Sequence, residues 1–404
     1  MKKLLLFFAL LFLQNGFTQV ISEEFNSNRL NGKRKIAIYL PEKFSEKEGY
    51  PLLVVLDAAS LMESVIATTR YYEYAHNMPK CIVVGVFSTE EDVTVPHEVG
   101  RPMNESARFF EFVAAELVPY VQGKYPISNL KAVIGSDESG YLASHYLLSD
   151  KPLFNAVIAL NPQVQPYIYM PLSEQFTKAK KFTFFYTATT DMENAASLEK
   201  IKTLNNQLKG KSNEYVSYHH DVFEGSSPQT TDLMGVSKAI DILFDAYKPI
   251  SAKEFKEKIQ PLQENIFEYI ENKYNRIHKE LGVKKKPLLN DILAIYDVIK
   301  EKEEWNSLLK LSDFVRANGY NETAMPSFFL GEFYENTNDF KRAVRAYQRA
   351  YGEPAVDFIK QDLINERITK LRKSLKKAKG KPEEEEEPAQ EESEQTPTTE
   401  ETQN

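Results

Sequence analysis

Five short runs dictate most of what this chain can fold into. Residues 52–56, 82–87, 132–134, 156–160 and 182–186 are almost uninterruptedly apolar and rich in β-branched and aromatic side chains. A strand that is apolar on both faces must be covered on both faces, the condition met by a parallel sheet between two layers of helices. Helical segments separate the runs, at 61–74, 108–120, 195–208 and 236–247; the second carries Phe109, Phe112, Val113 and Leu117 at helical spacing. Residues 35–40 alternate apolar and polar side chains as a half-buried strand does, and 215–223 reads as a last strand. Strand and helix alternate as βαβ units require, so the fold class is α/β with a mainly parallel, doubly covered sheet.

After Pro249 no strand pattern remains and the helices become strongly charged. Leu330, Gly331, Tyr334, Ala343, Tyr347 and Ala350 fall at the spacing of a tetratricopeptide repeat, and Trp305 and Leu308 begin a fainter copy. Small and aromatic residues at that spacing let two antiparallel helices pack closely. Residues 367–381 hold eight basic residues and no acidic one, and 382–404 hold ten Glu and no Lys or Arg. The tail therefore carries -10 of the net charge of -8, leaving a nearly neutral body and no whole-protein field for nucleic acid.

At the other end, Lys2 and Lys3 precede an apolar stretch at 4–13, and Asn15-Gly16-Phe17-Thr18 offers small residues around a cut after Thr18. This predicts a secretory signal peptide, export to the periplasm or outer membrane of a bacterium, and no transmembrane span after cleavage. Cys81, the only cysteine, cannot form an intramolecular disulfide and reads as a buried strand residue. The expected division is a signal peptide at 1–18, an α/β domain at 19–248, a helical tetratricopeptide-like domain at 249–375 and a disordered acidic tail at 376–404.

The chemistry centres on Val133-Ile134-Gly135-Ser136-Asp137-Glu138-Ser139-Gly140. An apolar run enters a small-residue turn, and an amphipathic stretch follows at 141–148. That is the strand–turn–helix setting of a nucleophile elbow, which lifts one side chain to the top of an α/β-hydrolase sheet. Asp137 occupies the nucleophile's position. Ser136 and Ser139 flank the tip without occupying it.

Several blocks carry a resemblance to a known family. Arg34-Lys-Ile-Ala-Ile-Tyr-Leu-Pro41, Tyr50-Pro-Leu-Leu-Val-Val-Leu-Asp57, Ile82-Val-Val-Gly-Val-Phe, Val95-Pro-His97, Leu117-Val-Pro-Tyr120, the elbow and Leu153-Phe-Asn-Ala-Val-Ile-Ala-Leu-Asn-Pro162 resemble the esterase family of α/β-hydrolases, of the enterochelin-esterase and esterase D type. The likeness spans roughly residues 25–248, and members with a tetratricopeptide-like extension exist. The resemblance implies a serine nucleophile, a histidine base, an acid that orients it and an oxyanion hole. It would place oxyanion donors on the backbone of Glu138 and of Ala58 or Ala59, and the acid after residue 186, at Asp191 or Glu193.

The histidine is the second departure. The family's histidine loop corresponds here to Glu224-Gly-Ser-Ser-Pro228, which has none. Of the chain's six histidines, His219 and His220 fall in the preceding strand, and His145 follows the elbow on a helix and points away. Aspartate nucleophiles serve this fold in haloalkane dehalogenases and epoxide hydrolases, but that chemistry also needs a histidine to activate water. The reading is therefore an esterase-like domain that is catalytically inactive and works as a binding or assembly module of the cell envelope, with a protein partner on the helical domain. The alternative is an active ester hydrolase, or another hydrolase, rearranged around Asp137. No cofactor and no metal site are expected, since Asp137, Glu138 and a loop acid lack a supporting carboxylate cluster.

Overall fold

The computed structural model describes residues 20–211 and 213–379. The signal peptide and the acidic tail expected from the sequence lie outside the described residues. Eight strands form one sheet: β1 (Val20–Ser27), β2 (Gly32–Tyr39), β3 (Tyr50–Val55), β4 (Ile82–Val86), β5 (Ile127–Ser136), β6 (Ala156–Leu160), β7 (Thr183–Thr189) and β8 (Val216–Val222). Their spatial order is β1-β2-β4-β3-β5-β6-β7-β8. Both pairings of β2 are antiparallel, and every pairing from β4 to β8 is parallel.

The apolar runs sit in the middle of this sheet. β3, β4 and β6 are buried along their whole length. One face is covered by α1 (Ala58–Tyr74), where Gly85 of β4 lets the helix come so close that an added Cβ would lie 2.5 Å from the Met62 sulfur. The helix over β6 and β7 does the same through Gly235, against Leu160 and Ala188. The other face is covered by a long helix, α2, built of Asn104–Phe112, a π-helical turn Val113–Leu117 and Val118–Lys124. Beside it lie the helix after the elbow, α3 (Asp137–Ser144), then α4 (Tyr169–Lys178) and α5 (Ala195–Leu208). Phe109, Phe112, Leu117, Tyr141, Leu142, Phe176 and Leu204 meet the strand residues Val54, Val84 and Val133 in one core.

β1 was not legible in the sequence. In β2, residues 36–39 are all buried instead of alternating, because both faces are covered: Ile36 and Ile38 join the core under α2, and Tyr39 lies within reach of the charges of Glu73 and Arg70 on α1. β1 in turn is pinned by polar contacts to α2: Tyr120 donates to Glu23 (2.9 Å) and the Ser27 hydroxyl to Glu116 (2.5 Å).

The chain forms two compact units, one ending at Lys302 and one beginning at Glu303. The sheet-bearing unit thus runs past residue 248, where the sequence changes character, and takes in α7 (Ile266–Leu281) and α8 (Leu289–Glu301), the helix over β6 and β7 being α6 (Pro228–Leu243). The reason is local. Ser128 of β5 donates to the carbonyl of Leu281 (2.8 Å), and Gly282, at φ 67°, lies so close to Asn129 that a Cβ would meet its backbone at 2.5 Å. The buried Asp291 carboxylate accepts from the Ile250 N–H and from the Tyr274 hydroxyl, both at 2.8 Å, fastening α8 to α7 and to the end of the α/β region.

The second unit is all helical: α9 (Trp305–Val315), α10 (Ala324–Asn336), α11 (Phe340–Tyr351) and α12 (Gln361–Lys379). The residues singled out by repeat spacing pack the α10–α11 hairpin. Ala343, Tyr347 and Ala350 are fully buried, and Asn338 at φ 62° makes the turn before Asp339 caps the Arg342 N–H. Tyr347 donates to Glu335 (2.7 Å), which also pairs with Arg367 of α12 at 3.3 Å.

Gly331 tests this packing, because an added Cβ would stand 2.6 Å from the buried Tyr347 ring. Overpacking costs about 1–3 kcal/mol, of which helix propensity returns up to about 1. Gly331→Ala should therefore lower the urea midpoint of the helical unit by a net loss of about 1–2 kcal/mol. Gly123→Ala, at an exposed position of α2 with no atom within 4 Å of the new methyl, should instead stabilise by about 0.5–1 kcal/mol.

Candidate functional site

The elbow forms as the small residues require. Ser136 ends β5 in extended geometry and Asp137 starts α3 at φ 54°, the left-handed conformation that non-glycine residues adopt only where the surroundings impose it. What imposes it is the near contact of strand and helix. A Cβ on Gly135 would lie 2.5 Å from the Ser139 carbonyl, and one on Gly140 would lie 3.0 Å from the carbonyl oxygen of Gly135. Ser139 stitches the turn: its hydroxyl donates to the Ser136 carbonyl (2.8 Å) and accepts from the Ser136 N–H (2.9 Å). That buried hydroxyl is fully employed, so Ser139 is a structural part of the turn.

Asp137 stands exposed at the tip. Glu138 is half-buried beside it, and its Oε2 is a buried oxygen without a hydrogen-bond partner. Burial raises the Glu138 carboxyl above its ordinary range and Asp137 raises it further, while His97 and the Val95 backbone pull it down. Ala58 and Ala59 open α1, where free N–H groups gather, directly after Asp57. The charge of Asp57 is felt at the elbow through Asp232, so the start of α1 borders the site. Ala58, Ala59 and Glu138, whose backbone N–H groups the sequence offers as oxyanion donors, stand at the starts of α1 and α3.

Asp191 follows β7, as expected for the acid, but it orients no imidazole. Its Oδ1 accepts the backbone N–H of Gly225 at 2.7 Å, inside the loop that should carry the histidine. The neighbouring Thr190 hydroxyl donates to the Ser226 carbonyl (2.5 Å), closing the same loop. Among the described residues no imidazole is hydrogen-bonded to the Asp137 carboxylate. His219 and His220 lie on the edge strand β8, bonded to the hydroxyls of Ser217 (2.9 Å) and Thr187 (2.8 Å). His145 is buried with its ring nitrogens on the carbonyls of Tyr141 and Gly100, both at 3.1 Å. Burial lowers the affinity of all three rings for a proton; for His145 it outweighs the backbone of Gly100, Tyr141 and Leu142, which favours the charged form. His97 lies close enough to Glu138 to act on its charge and is held by the Gln165 side-chain amide.

The residue that sequence reasoning missed is Asp232. It lies at the start of the second turn of α6 and reaches back to the elbow, where the Ser136 hydroxyl donates to its two oxygens (2.8 Å each) and the Asn161 amide donates to Oδ1 (2.8 Å). Burial pushes its carboxyl up to about 6, against the two hydrogen bonds and with help from Asp57 and Asp137. The signal that could have found it was the start of the helix. Ser227 caps the Thr230 N–H and Pro228 opens α6, eight residues before the expected start at 236, and this placed Asp232 on a rigid element facing the sheet. Ser136 has its proton committed to Asp232 and is 9% exposed, so it braces the elbow against α6.

A group of three or more His, Cys, Asp or Glu side chains arranged for a metal is absent among the described residues. None of Asp57, Asp137, Glu138, Asp191 and Asp232 joins an ion pair among the described residues. Asp137, Glu138 and Asp232 thus gather acidic side chains around the elbow.

The raised Asp232 carboxyl makes a stability prediction. The folded state binds its proton more tightly than the unfolded chain, where the group titrates near 3.8, so the native state holds more protons between about 3.8 and 6 and loses stability as pH rises through that window. Asp232→Asn keeps an acceptor for Ser136 and Asn161 without the charge. The variant should gain melting temperature over the native protein at pH 7–8, and the gain should shrink as pH falls through about 6 and vanish below about 4. Melting curves of both proteins across that range are the check; a gain independent of pH would rule the reading out.

Residues 27–222 match the family described as "Putative esterase". Among solved structures, the chain is similar to an uncharacterised protein from Capnocytophaga ochracea DSM 7271, at 52% identity and a TM-score of 0.85, over 88% of this chain and 100% of that one. It is also similar to an IroE-like serine hydrolase from Shewanella oneidensis, at 18% identity and a TM-score of 0.57, over 74% of this chain and 99% of that one. At that identity the second likeness speaks for the fold alone. Comparison with curated proteins gives no match. With the strand order, the elbow and the family match in agreement, the chain belongs to the esterase family of α/β-hydrolases, extended by an all-helical region.

Proposed function

We propose that this protein is a catalytically silent member of its family that uses the hydrolase scaffold as a binding module. One observation carries the reading. The carboxylate at the acid position, Asp191, accepts a backbone N–H from the very loop that would supply the base, 2.7 Å away at Gly225. Acyl transfer needs a nucleophile whose proton is taken by a base held in place by a third group. Here the acid is spent on closing the loop, the loop has no histidine, and the nucleophile position holds a carboxylate. An alkyl ester formed on Asp137 would have no imidazole to activate the water that releases it.

The proposal extends to address and partner. The basic-then-apolar amino terminus supports export to the cell envelope. No helix among the described residues is long and apolar enough to cross a membrane. The tetratricopeptide-like spacing of the α10–α11 hairpin supports a protein partner on the helical unit.

Purified full-length protein should turn over short-chain nitrophenyl esters, haloalkanes and epoxides at the rate of buffer alone, and a fluorophosphonate probe should label no serine. Asp137→Ser should stay silent, since it restores a hydroxyl without a base. Turnover abolished by Asp137→Ala, or stoichiometric labelling of one serine located by mass spectrometry, would overturn the reading in favour of a rearranged hydrolase.

A further inference from the structure

A hollow of about 490 Å³, the size of a small-molecule site, opens at the end of the sheet opposite the elbow. The elbow follows the carboxyl end of β5, and β3 and β4 run in the same direction as β5. The hollow lies beside the segments that lead into β3 and β4, residues 47–50 and 79–80. Tyr247, His278 near the end of α7, and residues 282–284 complete its walls.

Its charge is one-sided. Lys47, Lys80 and Lys284 come to it from three separate segments, and the His278 imidazole from a fourth. The carboxylate that lines it with them is Glu48, which accepts the Tyr50 hydroxyl at 3.3 Å. Glu73 acts on Lys80 from a distance without forming an ion pair with it. Among the described residues, none of the three lysines joins an ion pair. Cations that share one concave place focus a positive field there, which lysines scattered over a convex surface do not.

The cations are also held in place. Lys80 Nζ donates to the carbonyls of Glu42 (2.7 Å) and Lys43 (3.5 Å), which fixes the ammonium and leaves one N–H to give. The loop that carries Lys284 is fastened on both sides. Gly282 packs against Asn129, and the Leu288 N–H donates to the Tyr274 hydroxyl at 2.7 Å. Lys285 stands 4.0 Å from the centre of the Tyr247 ring and donates to the Tyr247 carbonyl. Lys285 thus anchors the loop, and its neighbour Lys284 is exposed at the hollow. Between the cations the wall is apolar: Pro79 and Val283 are buried, and the Tyr247 ring joins them. Fixed donors beside an apolar wall suit an anion carried on an organic body.

We propose that this hollow binds a small organic phosphomonoester. Its phosphoryl group meets Lys47, Lys80 and Lys284, with His278 as a further hydrogen-bond partner, and its organic part rests on Tyr247, Pro79 and Val283. A phosphomonoester brings nearly two negative charges and three acceptor oxygens, which answer several ammonium groups where a single carboxylate would not. The phosphate of an anionic lipid offers related chemistry from a membrane surface. The hollow shares no residue with the elbow, so this proposal stands or falls apart from the silent-scaffold reading.

Isothermal titration calorimetry of the full chain tests it, with phenyl phosphate, inorganic phosphate and phenol as probes and with vesicles of phosphatidylcholine and phosphatidylglycerol. Phenyl phosphate should bind saturably at one site, inorganic phosphate severalfold more weakly, and phenol not at all. Lys80→Gln should weaken phenyl phosphate about tenfold, and so should Lys284→Gln, which alters an exposed side chain and leaves the loop anchors untouched. Lys284→Arg should keep most of the affinity. Lys33→Gln, at an exposed lysine of β2 outside the hollow, should change nothing. Absence of saturable binding, native affinity in both Lys80→Gln and Lys284→Gln, or an equal loss in Lys33→Gln would each overturn the proposal. Capture by the anionic vesicles that is lost in Lys284→Gln but not displaced by phenyl phosphate would overturn it in favour of a lipid surface.

Discussion

The interaction on which the site depends is the near contact between the end of β5 and the start of α3. Gly135 and Gly140 let backbone meet backbone, and Ser139 bonds both polar groups of Ser136, so the chain reverses in four residues with Asp137 forced to φ 54°. None of these contacts involves the side chain at the tip. The turn is therefore as stable with a carboxylate as with a hydroxyl, and the fold places no demand on what residue 137 can do chemically. That separation lets a hydrolase sheet form whatever chemistry residue 137 supports.

Elements buried on both faces were the ones legible in the sequence, because continuous apolar runs have few alternatives to a covered strand. β3, β4, β6 and the elbow follow from that rule. β1 did not, since an edge strand with alternate exposed positions, such as Glu23 and Glu24, reads as a polar segment. The limits of the sheet-bearing unit were hidden for a related reason. α7 and α8 look like the charged helices that follow them, and what joins them to the sheet is polar and long in range: Ser128 to Leu281, and Asp291 to Ile250. Such bonds leave no periodicity.

At the site, the sequence exposed what was missing and concealed what had taken its place. The absence of histidine from 224–228 and of serine from 137 could be read directly. The linking of Asp191 to Gly225, and of Asp232 to Ser136 and Asn161, could not, because each joins residues from 34 to 96 positions apart. Asp191 matched its expected position in the chain while its partner turned out to be a backbone N–H. A residue's place in a motif and its hydrogen bond are separate facts, and only the second has chemical content.

The acidic cluster around the elbow is energetically costly to the fold. A site that has merely decayed relaxes toward lower energy, since loss of one carboxylate from a cluster of like charges is stabilising and asks nothing of the core. Asp232 is held in a half-buried place that lifts its carboxyl to about 6, near two further acids and beside a buried amide oxygen with nothing to accept. Each of these lowers stability in the free protein, by the same physics that tunes functional carboxylates. Among the described residues Asp232 is met by the Ser136 hydroxyl and the Asn161 amide, and these two donors do not outweigh its burial, so the elbow keeps a carboxylate whose charge disfavours the fold above about pH 6.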